Sequence, residues 1–416
     1  MQKPSKLAQI PQIRFAGFTQ PWEIRKLGDC AKFSKGSGYS KNDLCNIGTP
    51  IILYGRLYTK YETIIKKVNT FVRPKDSSVY SKGGEIIIPA SGETANDIAR
   101  ASAVENSGIL LGGDLNIISP DKAINSAFLA LSISNGKPQK ELAKKAQGKS
   151  VVHISNSEIK ELNIPFPQKA EQQKIGELFA NLDNLITLHQ RKVEKLQKIK
   201  KSCLQNLFPQ NNQNTPKIRF KNFSDEWVEK KFSDIAQTRR GLTYKPLDIR
   251  INGIRVLRSS NINEDKFIFD NTDVFVTKKA INIDYVKNGD ILITSANGSS
   301  HLVGKHAIIK NLPNKSAVHG GFMLLVTANN TEFLNASMSS AWYQKFISLF
   351  VSGGNGAIGN LSQNDLNNAY LPIPNSKEQE KIGAFFSKLD KLITLQQRKV
   401  EKLKEIKAAM LSKAFI

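Results

Sequence analysis

Two long stretches of this 416-residue chain place residues, all but one of each series apolar, at alternating spacings of four and three. Ile175, Phe179, Leu182, Ile186, His189, Val193 and Leu196 make the first series, and Ile382, Phe386, Leu389, Ile393, Gln396, Val400 and Leu403 make the second. Such spacing is a heptad seam, one stripe of a helix facing another helix. Each stretch follows a Pro-x-Pro pair, Pro165 and Pro167 or Pro372 and Pro374. Proline is tolerated before a first turn but not inside a helix. In the second stretch Ser376 and Gln379 have the spacing of a capping box. At about 1.5 Å per residue, the run from Ile175 to Phe208 predicts a helix of roughly 50 Å. The seam's polar layer, His189 and Gln396, is read as fixing register and orientation; a pH-sensitive or metal site is the alternative.

Laid against itself, the chain repeats. The run Pro11-Gln-Ile-Arg-Phe-Ala-Gly-Phe18 with Trp22 returns as Pro216-Lys-Ile-Arg-Phe-Lys-Asn-Phe223 with Trp227. Gly36, Gly48 and Gly84-Glu-Ile-Ile-Ile88 meet Gly241, Gly253 and Gly289-Asp-Ile-Leu-Ile293 at the same offset of 205. Residues 163–208 match 370–415 with 25 identities in 46 positions. The expected division is a first globular domain at 1–165, a long helix at 166–208, a second globular domain at 209–372 and a second long helix at 373–416. A duplicated frame implies a pseudo-two-fold axis and so an antiparallel helix pair. A parallel pair would instead set the two domains side by side.

The divergent middles, residues 22–165 and 227–372, mix short β-rich runs with glycine turns and a few helical stretches. The clearest expected strands are Ile51-Ile-Leu-Tyr54, Glu85-Ile-Ile-Ile88, Ile254-Arg-Val-Leu257 and Asp290-Ile-Leu-Ile-Thr294. The fold class is therefore α+β: two globular α+β domains separated by two long helices packed as an antiparallel coiled coil, with internal pseudo-two-fold duplication. Polar residues follow the strands. They are Arg56, Tyr58, Lys60, Ser91, Glu93 and Thr94 in the first copy. In the second copy they are Arg258, Asn261, Asn263, Ser295, Asn297, Ser299, Ser300 and His301, joined by the basic Arg239, Arg240 and Lys245. Arg, Asn and Ser are types that hydrogen-bond base edges, and Lys grips phosphate. Ordinary solvated turns are the alternative for any one of these residues, so the candidates are the loops as groups.

Charge narrows the partner. Sixty Lys and Arg against 36 Asp and Glu leave +24, spread as +9, +4, +6 and +5 over residues 1–168, 169–208, 209–376 and 377–416. No segment is a basic tail, and a charge carried by every segment fits contact with a long phosphate backbone at several places. General solubility would use the same charge. No apolar run reaches the roughly 18 residues of a membrane span, and Met1 to Ile10 lacks the apolar core of an export signal. Three cysteines (Cys30, Cys45, Cys203) in no metal or disulfide spacing agree with a reducing cytoplasm.

Motifs for chemistry are missing. There is no phosphate-binding loop, so Gly353-Gly-Asn-Gly356 reads as a turn, and Gly36-Ser-Gly38 alone is too short for a cofactor fingerprint. His153, His189, His301, His306 and His319 share no metal spacing. Neither a catalytic nor a metal residue is assigned.

The Ile218-Arg-Phe-x-x-Phe223 entry with Trp227, the Gly289-Asp-Ile-Leu-Ile293 strand, Pro372-Ile-Pro374 and Glu378-Gln-Glu-Lys-Ile382, all present twice, resemble type I restriction-modification specificity subunits. The resemblance covers essentially the whole chain. It implies a non-catalytic DNA-recognition subunit, each domain reading one half of a split, asymmetric duplex sequence, with the helix pair as ruler and dock for two methyltransferase subunits. S-adenosylmethionine would belong to those partners, and ATP and Mg²⁺ to motor-nuclease partners, with no cofactor in this chain. Gly83-Gly84-Glu85 departs from the usual Gly-Asp, and Gln173 stands where the second copy has Glu380. A solitary nuclease or methyltransferase would turn over substrate alone, and a coiled-coil scaffold would ignore duplex DNA.

Overall fold

Four consecutive apolar residues, Ile86–Pro89, form a strand buried on both faces. Successive side chains of a strand point to opposite faces. Ile86 and Ile88 therefore enter one core with Phe128, and Ile87 enters another with Leu111 and Ile117. In the computed structural model, which describes residues 10–148, 150–210, 213–351 and 359–415, the strand at Ile291–Thr294 repeats this division. Ile291 and Ile293 face a core containing Phe333, and Leu292 faces a core with Leu257 and Leu325. The glycine-rich run Gly353 to Gly356 and residues 1–9 lie outside the described residues.

The chain forms two units, Met1–Arg191 with Gln397–Ile416, and Lys192–Gln396. In the first, one five-stranded sheet runs in the order Ala31–Lys35, Leu115–Pro120, Ile86–Pro89, Ser102–Val104, Ile64–Ile65. A second runs Leu44–Cys45, Phe71–Val72, Thr49–Ile52, Ser107–Leu111, Tyr80–Lys82. Helices Ser126–Ile133 and Gly136–Lys145 contribute Phe128, Leu131 and Leu142 to the core on the first sheet's other face. The second unit keeps the same order with one strand fewer in each sheet: Ala236–Arg240, Met323–Ala328, Ile291–Thr294, His306–Ile308, and Ile249–Arg250, Val274–Val276, Ile254–Leu257, Ala317–His319. Each unit is closed by an antiparallel pair joining its start to its end, Glu23–Lys26 with Asn163–Phe166 and Val228–Lys231 with Tyr370–Ile373.

Strand limits shift from the sequence expectation where a polar group has another partner. The expected strand at residues 51–54 is Thr49–Ile52, because the Leu53 carbonyl accepts the Arg56 amide at 3.0 Å and begins the single-turn helix Arg56–Thr59. Glu85 and Asp290 precede their strands and turn back: Glu85 accepts the Lys82 and Gly83 amides at 2.6 and 2.9 Å, and Asp290 accepts the Lys287 amide at 2.8 Å. Gly84 and Gly289 hold φ of +90° and +96°, where a side chain would be strained. Glu85 thus makes the same turn as Asp290 with a longer arm.

The long helices are Lys169–Asn206 and Ser376–Ala414, 38 and 39 residues, or about 57 Å each. The proposed Ser376 and Gln379 cap is corrected: Asn375, one residue earlier, accepts the Glu378 amide on its side chain at 3.0 Å, and Gln379 donates to the Pro374 carbonyl. The helices run antiparallel where they meet. Asp183 of the first pairs with Lys407 of the second in the first unit, and Lys200 with Asp390 in the second unit. Within the first unit Phe179 meets Phe415 and Asp183 meets Lys407, and within the second Lys200 meets Asp390 and Phe208 meets Phe386, so in each unit advancing along one helix moves back along the other.

Each unit takes its seal from the helix that ends there. Phe415 packs on Trp22, Phe128 and Phe179 with ring centroids 5.9–6.4 Å apart. Phe208 packs on Trp227, Phe333 and Phe386 at 5.9–6.0 Å. The Ile13 amide donates to the Lys413 carbonyl, and the Ile218 amide to the Asn206 carbonyl, each satisfying a helix-end acceptor that has no partner in its own helix. Of the seam residues, Ile175, Phe179 and Leu182 belong to the first unit's globular core, and Ile382 and Phe386 to the second's. Ile186, Leu389, Ile393 and Val400 are also buried. Val193, Leu196, Leu403, His189 and Gln396 are half-buried.

Candidate nucleic-acid interface

The strand pattern puts two candidate loops of each unit side by side. In the first unit Tyr58, on the helical turn after Thr49–Ile52, donates its hydroxyl to the Ser91 carbonyl in the loop after Ile86–Pro89. Gly92 leaves room for it: a Cβ there would stand 2.9 Å from the Tyr58 hydroxyl. Burial pushes the Tyr58 phenol far above its ordinary range, so it remains a neutral donor. In the second unit the same junction uses different chemistry, Asn297 donating to the Ser259 hydroxyl at 3.1 Å.

The individual candidates sort by their partners. Arg56 is held inside its unit, donating to Glu62 and to the Lys67 carbonyl at 2.6 and 2.9 Å. Ser91 is buried and donates to Asp114, while Thr94 caps the short helix Ala95–Ile98 by accepting the Asp97 amide at 3.1 Å. Lys60 and Glu93 are exposed. In the second unit Arg258 donates to the Thr272 carbonyl, and Asn261, fully buried, donates to Asp273 at 2.7 Å. Arg239 lies 3.5 Å from Asp290, and Ser295 is buried beneath the loop. Arg240, Lys245, Asn263, Ser299, Ser300 and His301 are exposed. The exposed set offers donors and cations to a ligand, and the buried set fixes the loop shapes.

Sequence reasoning missed a third loop beside these two. Gly112-Gly113-Asp114 and Gly320-Gly321-Phe322 pass next to the loop that follows each central strand, and the Asp114 and Phe322 carbonyls accept the Ala90 and Ser295 amides at 2.8 and 2.9 Å. The doubled Gly-Gly was the available signal. Its spacing, 208, differs from that of the other repeated glycines and so escaped the alignment. In the first unit this loop borders a cleft of about 350 Å³ that also takes in Lys35, His153 and Glu158.

The second unit holds the buried imidazoles. His319 is drawn down to about 4 by burial, with Nε2 3.1 Å from the Arg239 carbonyl. Burial also lowers His306, which faces Asn335 at 3.0 Å. Among the described residues no three His, Cys, Asp or Glu side chains gather as metal ligands, and no helix is long and apolar enough to cross a membrane.

Two copies of one α+β frame, each carrying candidate loops beside its central strand and each tied into a long helix, make this an internally duplicated chain. The chain matches the type I restriction modification DNA specificity domain twice, over residues 19–198 and 224–405, and belongs to that family. The MjaVIII type I restriction enzyme specificity subunit of Methanocaldococcus jannaschii is 22% identical over 409 residues, covering 94% of this chain and 92% of the relative. The Escherichia coli EcoKI specificity subunit is 23% identical over 321 residues, 73% and 68% of the two chains. In fold the chain is similar to the type I restriction-modification S subunit of M. genitalium, with a TM-score of 0.66, 16% identity and coverage of 98% and 99%.

Proposed function

We infer that this chain is the DNA-reading specificity subunit of a type I restriction-modification complex, with no catalytic centre of its own. The observation that carries this reading is one frame built twice, with the same strand order and the same helix attachment but different side chains on the loops. A protein whose frame is symmetric and whose two surfaces differ suits an asymmetric target read in two halves. The reading domains are residues 1–165 and 209–372, and the segments 166–208 and 373–416 that join them carry the helices Lys169–Asn206 and Ser376–Ala414. The chain's +24 charge supplies sequence-independent attraction to the phosphates.

Two methyltransferase subunits are the partners of the helix pair. Leu185 and Leu188 on the first helix, and Leu392 and Leu395 at the matching positions of the second, are 40–53% exposed. An apolar patch that occurs in two equal copies fits two copies of one partner. S-adenosylmethionine belongs to those subunits, ATP and Mg²⁺ to the motor-nuclease subunits, and the complex acts on cytoplasmic DNA. A structure from work on type I complex assembly shares this fold with a TM-score of 0.51 at 14% identity.

The test is to map N6-methyladenine across the source chromosome with and without this gene. A split motif that disappears on deletion supports the reading, and an unchanged methylation pattern overturns it.

A further inference from the structure

The loop pair Gly112-Gly113-Asp114 and Gly320-Gly321-Phe322 stands on one backbone. The Gly112 and Gly320 amides donate to Ile52 and Leu257, each at 2.9 Å, and the Ser37 and Leu242 amides donate to Leu111 and His319. The Leu115 and Met323 amides close the turn on the Gly112 and Gly320 carbonyls, and the Ile154 and Leu361 amides donate to Ala90 and Ser295. Even the close approach is shared: a Cβ on Gly36 or Gly241 would stand 1.9 Å from the carbonyl oxygen of Gly112 or Gly320. The frame therefore delivers residue 114 and residue 322 to the same place in each unit, beside the loop after the central strand.

What it delivers could hardly differ more. Asp114 is exposed, receives the Ser91 hydroxyl at 3.2 Å and lines the polar cleft. Phe322 is 70% exposed, and its carbonyl is taken by the Ser295 and Ala296 amides while the ring stays outside the core. Leaving so much of an aromatic ring in water forgoes the free energy that its burial would give, and among the described residues Phe322 joins no buried cluster. A frame kept this constant around one variable side chain is what reading two different half-sites requires.

We propose that Asp114 and Phe322 are specificity-determining residues, each contacting a base of the half-site its own unit reads. Asp114 accepts a hydrogen bond from an exocyclic amine of cytosine or adenine, and Phe322 packs on the C5 methyl of thymine, pairings that follow from the major-groove pattern of donors and methyl groups. The assignment rests on the DNA-reading function inferred above. It adds the two side chains that make the halves unlike.

The experiment uses the full complex assembled with wild-type, Asp114→Asn or Phe322→Ala chains, read by methylation mapping and by binding to the mapped duplex. The wild-type map judges the function itself: without a split motif that reading falls, and this assignment falls with it. Given a motif, Phe322→Ala should relax one position of one half only, with about tenfold weaker preference there. Deoxyuridine in place of that thymine should weaken the wild type about tenfold and leave the variant unchanged. Asp114→Asn should alter a cytosine or adenine position in the other half. Both residues are exposed, so an unmoved melting temperature shows that the variants fold. Unchanged motifs in both variants, or a change in the half read by the other unit, would overturn the assignment.

Discussion

Arg14 and Glu171 are 157 positions apart and close a two-pronged ion pair, Nε to Oε1 at 2.7 Å and Nη2 to Oε2 at 2.8 Å. Arg219 and Glu378 repeat it at 2.7 Å on both prongs. Both carboxylates are fully buried in the opening turns of a long helix, where the helix dipole favours negative charge. The Ile-Arg-Phe entry of each unit is therefore fastened to the helix that leaves the same unit. That joint sets how rigidly a reading domain is held.

Glu171→Ala leaves Arg14, whose side chain is 12% exposed, without its partner. Breaking a buried pair costs about 3–5 kcal/mol, and the access of water to Arg14 favours the lower end, about 3. Hydrogen exchange should rise in strands Glu23–Lys26 and Asn163–Phe166 but not in Val228–Lys231. Unchanged exchange in the first unit would refute the joint.

Much of this architecture was legible in the chain. The two helices, their Pro-x-Pro entries and the duplication follow from spacing alone, because a 3.5-residue repeat and a 205-residue repeat leave direct marks. Contacts between distant segments left none. Nothing in the spacing said that Arg14 seeks Glu171, or that Phe415 belongs with Trp22 and Phe208 with Trp227. The heptad pattern also concealed a second role for Leu182, which reads as a seam position yet packs in the first unit's core. Among the loop candidates, residue type could not separate Asn261, buried against Asp273, from Asn263, exposed two positions later.

Acid should weaken the second unit first. An unfolded histidine titrates near 6.5, while burial holds His319 down to about 4. Between those values the unfolded chain binds a proton that the folded unit refuses, so stability falls as pH drops through the window, by roughly 3 kcal/mol. His306 acts in the same direction. Denaturant unfolding from pH 7 to 4, followed by unit-resolved hydrogen exchange, should show the loss in residues 192–396, and His319→Asn should remove most of that slope. An equal slope in the variant would contradict it.

Leu188→Asp combined with Leu395→Asp places charges on exposed positions of the helices. Stability of the chain should change by less than about 0.5 kcal/mol. Co-purification with the methyltransferase subunits should be lost. Retained assembly would show that those subunits dock elsewhere.

A chain ending at Phe208 lacks Phe415 over Trp22, Phe128 and Phe179. Phe208 plays that part in the other unit, so a second copy of residues 1–208 can supply the missing ring and helix face. Sedimentation should find a dimer, and selection from random duplexes should return an inverted repeat of one half-site. A monomer, or continued choice of an asymmetric site, would contradict interchangeable halves.

The central claim is that one chain holds two independent half-readers on a common frame. Its most direct test is to exchange residues 22–165 for the corresponding segment of a relative with a different target and to map N6-methyladenine made by the assembled complex. The account predicts that one half of the split motif changes while the other half is retained. Methylation that changes in both halves at once would mean that the domains read jointly, and the account would be wrong.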